Sequence, residues 1–309
     1  MIYKERRKSS ELLMLEALFV RNGLSEKDSQ YFRGLEKGYQ GELLFDSWME
    51  KLTSDCLVIN DLLLKQKNNH FQIDTILLLA GKIILFEIKN YEGDHFYEAD
   101  HLYRISKEER NNPLLQLEKS ESLLRQLLQS YDFEFPVHSY VVFVNSAFTM
   151  YQAPLNKPFI YPTQIRKFLQ QFNQVKLTIS AKEQHLAKHL TSLHISKSPI
   201  SQVPEYDFDT IKKGIACSRC KSFHLYTDGR KCICKQCNQA EFVESAVLRN
   251  VKEYRLLFPE REITTNDIYE WCKIISSKQR IQRILDKHFN KVFLSRFTYY
   301  EIKERGEGC

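Results

Sequence analysis

The clearest alternation of hydrophobic and polar positions lies between Leu57 and Lys89. Residues 57–64, with Val58, Ile59 and a leucine run, predict a first strand. Asp74-Thr-Ile-Leu-Leu-Leu and Ile83-Ile-Leu-Phe-Glu87-Ile-Lys89 predict two more around a Gly81-Lys82 turn. Helical spacing appears at Leu12, Leu13, Leu15, Leu18 and Phe19, so residues 1–36 read as a helical segment packed on the larger core. Leu43, Leu44, Trp48 and Leu52 predict a second helix with Glu42 in its first turn. Leu117, Leu123, Leu124, Leu127 and Leu128 predict a third, and Val137–Val144 a buried strand. Residues 163–195 read as one or two amphipathic helices.

The strand ending at Lys89 breaks its own pattern. Residues two apart share a face, so Glu87 and Lys89 project together while Phe86 and Ile88 project oppositely. Burying such charges unpaired would cost several kcal/mol. Asp74 and Glu87 supply hard oxygen donors suited to Mg²⁺ or Mn²⁺, and Lys89 an ammonium for a water or a phosphate. The alternative for the same residues is a structural ion pair at a strand end.

With Gly38-Tyr-Gln-Gly41-Glu42 upstream and Asn90-Tyr91-Glu92-Gly93 and Asn112-Pro113-Leu-Leu-Gln116 downstream, this order of pieces resembles the PD-(D/E)xK nuclease superfold. More closely it resembles the nuclease-related domain (NERD) family, in the larger form found in Bacillus-type bacteria. The motifs cover about residues 36–150. The resemblance implies a restriction-endonuclease-like α/β core with a mixed sheet in βββαβ order, and action on DNA. Carried over, Glu42 is the helix acid, Asp74 and Glu87 are the metal ligands, Lys89 is the catalytic lysine and Gln116 the helix glutamine. Related nucleases often place Tyr four residues after that glutamine, where this chain has Ser120.

Eight cysteines change the picture for the second half. Cys217-Ser-Arg-Cys220 and Cys234-Lys-Gln-Cys237, thirteen residues apart, match a zinc ribbon, with Cys232 and His224 as competing ligands. Cys56, Cys272 and Cys309 have no partner by spacing. The net charge of the chain is +6, and residues 211–240 alone carry seven Lys/Arg against Asp228. These are Lys212, Lys213, Arg219, Lys221, Arg230, Lys231 and Lys235, a phosphate-facing concentration.

Beyond the ribbon, residues 243–258, Ile263–Cys272 and Lys278–Phe289 predict helices, the last bearing Lys278, Arg280 and Arg283. This suggests a helix-turn-helix with the β-rich tail as a wing; a helical cap with a solvated basic face is the alternative. The predicted organisation is an N-terminal helical segment (1–36), a nuclease-like domain (37–162), a helical connector and linker (163–204), a zinc ribbon (211–242) and a C-terminal domain (243–309).

No run approaches 18 apolar residues, and the basic N-terminus lacks the apolar stretch of a signal peptide. The expectation is a cytoplasmic protein without a membrane partner. The leading function is a metal-dependent DNA nuclease with structural Zn²⁺, brought to its substrate by the ribbon and C-terminal domain. Its alternatives are a non-cleaving nucleic-acid-binding scaffold and a nuclease acting on RNA. With no helicase motif in the chain, strand separation would fall to a helicase or other DNA-processing partner.

Overall fold

The structure, a computed structural model, describes residues 1–196, 201–294 and 297–303. Residues 197–200 of the predicted linker (196–204) and Cys309 lie outside the described residues. The chain begins with β1 (Ile2–Lys4), α1 (Ser10–Val20), α2 (Glu26–Met49), β2 (Leu57–Gln66), β3 (Asn69–Leu79) and β4 (Lys82–Lys89). Then come β5 (Gly93–Glu98), β6 (His101–Arg104), β7 (Glu109–Arg110), α3 (Pro113–Ser130), β8 (Val137–Phe143), β9 (Phe148–Tyr151) and β10 (Phe159–Ile160). Helices α4 (Ile165–Phe172) and α5 (Ala181–Ser192) precede β11 (Leu225–Asp228), β12 (Lys231–Cys234) and β13 (Ala240–Phe242). The chain closes with α6 (Val243–Leu257), α7 (Thr265–Cys272), α8 (Lys278–His288), β14 (Phe289–Leu294) and β15 (Phe297–Ile302). None of the helices among the described residues is long and apolar enough to cross a membrane.

The chain divides into two compact units, residues 1–9 with 33–200 and residues 10–32 with 201–309. The first is built on a six-stranded mixed sheet in the order β1-β2-β3-β4-β8-β10. Strands β2, β3 and β4 form an antiparallel meander, and β8 joins β4 in parallel after α3. That is the expected βββαβ arrangement within a mixed α/β fold. Both faces of β4 are covered, which is why its sequence is nearly continuous in apolar residues. Ile83 and Leu85 enter a core with Leu117, Leu124 and Leu128 of α3 and Leu186 and Leu190 of α5. Ile84, Phe86 and Ile88 enter the opposite core with Phe45 and Met49 of α2 and Leu169 of α4. A four-stranded sheet in the order β7-β6-β5-β9 is inserted around the meander's exit.

Two details set the register of α3. Asn112 caps its N-terminus by accepting from the Leu114 N–H, and Pro113 occupies the first turn, where its missing N–H costs nothing. Ser120 is buried and donates to the Gln72 carbonyl at 3.1 Å. The position where related nucleases often carry Tyr is therefore used here to seat α3 on β3.

The N-terminal segment departs from expectation. Residues 2–4 form an edge strand parallel to β2 rather than helix. Helix α1 was expected on the nuclease-like core, but it packs on α6, with Ala17 and Leu18 among Val247, Val251 and Tyr254. The stripe read from spacing is real, since Leu12, Leu15 and Leu18 are buried, but a stripe names no partner.

In the second unit, β11, β12 and β13 form an antiparallel sheet that runs directly into α6. The stretches read as ribbon and C-terminal domain share one core containing Ile215, Cys232, Val247, Trp271 and Ile281. Thr264 and Ser277 cap α7 and α8 through their side chains. Ile263, between α6 and α7, bridges Tyr300 of β15, so the β14–β15 hairpin closes against the helices as a wing does. Arg21 ties α1 into this unit, its guanidinium 3.8 Å from the Trp271 ring and bonded to Glu253.

Candidate active site and cysteine cluster

The register of β3 and β4 creates the acidic site. Thr75 pairs with Phe86 at the end of the ladder, so the next step sets Asp74 against Glu87. Opposed residues in an antiparallel pair share a face. The Ile88 N–H donates to Asp74 Oδ2 at 2.7 Å, which pins that carboxylate. Lys89 lies on the same face as Glu87, its Nζ 2.7 Å from Glu87 Oε1. This is an ion-pair contact without hydrogen-bond alignment, and Glu87 Oε1 accepts no aligned hydrogen bond although it is buried. Lys89 Nζ instead donates to Gln116 Oε1 of α3 at 3.0 Å. Four of the five residues expected at the site, Asp74, Glu87, Lys89 and Gln116, are thus linked by direct contacts or by register.

The fifth, Glu42, reaches the same neighbourhood because α2 comes unusually close to the end of β4. A Cβ at Gly41 would stand 2.5 Å from Asn90 Cβ, so only glycine permits that approach. Asn90 holds the other side of the contact by donating to the Lys37 carbonyl at 2.7 Å. The Gly-x2-Gly-Glu run and the Asn after Lys89 are therefore two halves of one contact.

Glu42 does not stand free. Arg6, just beyond β1, donates to Glu42 Oε2 at 2.8 Å and to both oxygens of Asp46 at 2.8 and 3.1 Å. It also donates to the Asp74 carbonyl and to Thr75 Oγ1, at 2.8 and 2.9 Å. Sequence reasoning missed Arg6 and Asp46. Arg6 sits in the basic N-terminus, which was read as part of a helical segment; Asp46, four residues after Glu42, is the one available hint of a shared cation.

Crowded carboxylates away from water set the electrostatics. Burial, then the charge of Asp74, pushes Glu42 up to about 7 against the pull of Arg6. Burial, then Asp74, pushes Glu87 up to about 8. Asp74 is also raised, by burial, although Lys89 and the Ile88 N–H oppose the rise. Burial works against the charged form of Lys89, but Glu87 and Asp74 outweigh it and hold the ammonium above its ordinary range.

Carboxylates that resist ionisation and a buried oxygen without an aligned donor suit a divalent cation. Asp74 and Glu87 could hold it. Among the described residues, however, Glu42, Asp74 and Glu87 do not form a set with all ligand atoms within 4.8 Å, as the cysteines do.

Cys217, Cys220, Cys234 and Cys237 have sulfurs all within 4.8 Å of one another, with two pairs at 3.6 Å. That is far beyond disulfide length, and a tetrahedron of zinc–sulfur bonds has edges of about 3.8 Å. Each Cys-x2-Cys turn ends on a residue in left-handed conformation, Lys221 (φ 59°) and Asn238 (φ 55°), whose N–H returns to the first cysteine's carbonyl. Backbone N–H groups from Cys237 and Gln236 overcome burial to bring the Cys234 thiol down to about 7. The two competitors for the site lie elsewhere. Cys232 is buried in the hydrophobic core with its thiol pushed up to about 11, and His224 is exposed outside the cluster.

The basic residues divide. Lys213 is paired with Glu270, Lys221 with Glu16 at 3.7 Å, and Lys212 and Lys235 lie over Phe223 and Tyr226. Lys278 donates to Asn266, and Arg280 is only half-exposed. Arg219, Arg230, Lys231 and Arg283 are exposed.

No curated protein and no solved structure matches the chain at a significant level. Residues 37–144, the stretch from the start of the Gly-x2-Gly-Glu motif to the end of β8, match the family described as nuclease-related domain. The acidic site of Asp74, Glu87, Lys89 and Gln116 lies within this stretch similar to the nuclease-related domain.

Proposed function

We propose that the protein is a metal-dependent nuclease acting on DNA, with its reaction centre at Asp74, Glu87 and Lys89. One observation carries this reading: two buried carboxylates and an ammonium meet at a strand end inside the stretch that matches the nuclease-related domain, with Lys89 Nζ 2.7 Å from Glu87 Oε1.

Asp74 and Glu87 would hold Mg²⁺ or Mn²⁺. Bound there, the ion would lower the pKa of an attacking water and offset charge on the phosphate. The chain's own contribution is positional. Asp74 is pinned by the Ile88 N–H and Glu87 by its strand. Lys89, 2.7 Å from Glu87 Oε1, is placed to donate to water or to a phosphate oxygen. Gln116 aims that ammonium by accepting one of its three N–H bonds.

In this reading Zn²⁺ fills the four-cysteine cluster and ties the Cys217–Cys220 turn to the Cys234–Cys237 turn at the open end of the β11–β12 hairpin. The exposed Arg219, Arg230, Lys231 and Arg283, together with Lys212, Lys213, Lys221, Lys235, Lys278 and Arg280, would meet DNA phosphates. The wing-like hairpin beside α8 favours duplex DNA over single-stranded RNA as the ligand of this unit.

The test is incubation of wild type and Asp74→Ala with plasmid, linear and single-stranded DNA in Mg²⁺, Mn²⁺ or EDTA. The expected result is cleavage that requires the metal and disappears in the variant. Equal DNA binding with no cutting by either protein would favour the scaffold reading.

A further inference from the structure

Arg6 belongs neither to the motif nor to the matched stretch, yet its side chain is 1% exposed and bonds Glu42 and the Asp74 carbonyl of the acidic site. We infer that Arg6 limits this site to one divalent cation, held by Asp74 and Glu87, by keeping Glu42 occupied. The inference rests on the metal-dependent reading above and specifies its stoichiometry.

Three observations lead there. The guanidinium cannot be deprotonated in a protein, so its charge is permanent. It grips Asp46 through both oxygens, Glu42 through Oε2, and the Asp74 carbonyl, all within 3.1 Å. A second cation drawing on Glu42 would have to displace a charge-assisted bond or sit against the guanidinium in a water-poor pocket.

The charges agree. Glu42, Asp46, Asp74 and Glu87, when ionised, place four negative charges against Arg6 and Lys89, a difference of two that one divalent ion neutralises. A second ion would leave the pocket with two excess positive charges. Lys4 and Asp61 offset each other further out.

The hydrogen bonds of Arg6 go to Glu42, Asp46, Thr75 and the Asp74 carbonyl, and Glu87 is paired with Lys89 instead. Glu87 Oε1 accepts no aligned hydrogen bond, whereas Glu42 Oε2 is bonded at 2.8 Å. A second cation drawing on Glu42 Oε2 would have to break its bond to Arg6, and one drawing on the other oxygen of Glu42 would sit beside the guanidinium charge.

The experiment counts ions without relying on cleavage. Zinc-replete full-length protein is crystallised with Mn²⁺ and no DNA, and anomalous scattering locates the manganese. One peak between Asp74 and Glu87, with the Arg6–Glu42 bond intact, is expected; a second peak against Glu42 overturns the inference while leaving the metal reading in place. In solution, electron paramagnetic resonance of unbound Mn²⁺ should count one ion per wild-type chain, none for Asp74→Ala and two for folded Arg6→Gln. Mn²⁺ prefers oxygen to thiolate donors, so the cysteines do not enter the count. A single ion in both wild type and folded Arg6→Gln overturns the role of Arg6. No Mn²⁺ on wild type removes the metal reading itself, and the inference with it. Should Arg6→Gln not fold, the wild-type anomalous map decides alone.

Discussion

Lys89 Nζ stands 3.0 Å from Gln116 Oε1, joining the end of β4 to the first turn of α3 across the inserted four-stranded sheet. The bond lets an ammonium already paired with Glu87 keep one orientation. Lys89→Met should therefore lower kcat by about 10²–10³-fold, the typical loss for a preorganised charge donor. Gln116→Ala should cost less, about 10–100-fold, as for a group that orients another. Single-turnover cleavage with Mn²⁺ binding measured alongside checks both. A Gln116→Ala enzyme as fast as wild type would show that Lys89 needs no partner.

Glycine content along α2 gives an internal control. Gly38→Ala meets no atom within 4 Å and should stabilise the helix, by about 0.5–1 kcal/mol. Gly41→Ala drives its methyl into Asn90 and should destabilise by about 1–3 kcal/mol while moving Glu42 off Arg6. Urea denaturation of the two variants side by side should give shifts of opposite sign.

The raised carboxylates make stability depend on pH. Glu42 and Glu87 in the folded chain hold protons up to about 7 and about 8, above their ordinary 4.5. Between those values the folded state binds more protons than the unfolded one, so metal-free stability falls as pH rises. A divalent ion stabilises the ionised forms, and its contribution should be larger at the upper end of that window. Thermal melts from about pH 5 to about pH 8.5, with Mn²⁺ or EDTA, should show curves that diverge as pH rises. Parallel curves would mean the ion does not bind these carboxylates.

Metal removal should act on the second unit. Wild type should carry about one zinc per chain, and Cys234→Ser should lose it. Limited proteolysis of that variant should open the region of β11 and β12 first, leaving the stretch similar to the nuclease-related domain protected. Metal analysis beside the digestion pattern checks this, and a zinc-free wild type with an intact second unit would contradict it.

Charge removal at Arg230 or Arg283 should weaken DNA binding for all sequences alike if each meets a phosphate. The salt slope should then fall by about 1 for each phosphate no longer neutralised. Binding isotherms between low and moderate salt measure it. Weakening confined to particular duplexes would instead place Arg283 against a base edge.

How much of this was legible in advance depends on the range of the forces involved. Period-two alternation reports which residues share a strand face, so Glu87 and Lys89 could be paired from spacing, and the Cys-x2-Cys repeat reports a local turn. The βββαβ core was what the family resemblance implied. What alternation does not report is the partner: the apolar stripe of α1 carries no mark that it belongs to α6, and the expected packing on the nuclease-like core was wrong. Glycine type at Gly41 was legible; its reason, the nearness of Asn90, was not.

The sequence by itself determined the residue types of the acidic centre, the four clustered cysteines and the strands that carry Asp74, Glu87 and Lys89, because these follow from neighbours a few positions apart; the helix expected to begin at Glu42 instead runs from Glu26 to Met49. Only the tertiary structure decided that Arg6 sits 68 positions from Asp74 in sequence and 2.8 Å from its carbonyl in space. It also decided that Glu42 is already bonded to that arginine, that Cys232 belongs to a hydrophobic core, and that Ser120 seats α3 on β3. Each is a long-range contact, set by how faces pack, and packing is a property of the whole chain rather than of any stretch of it.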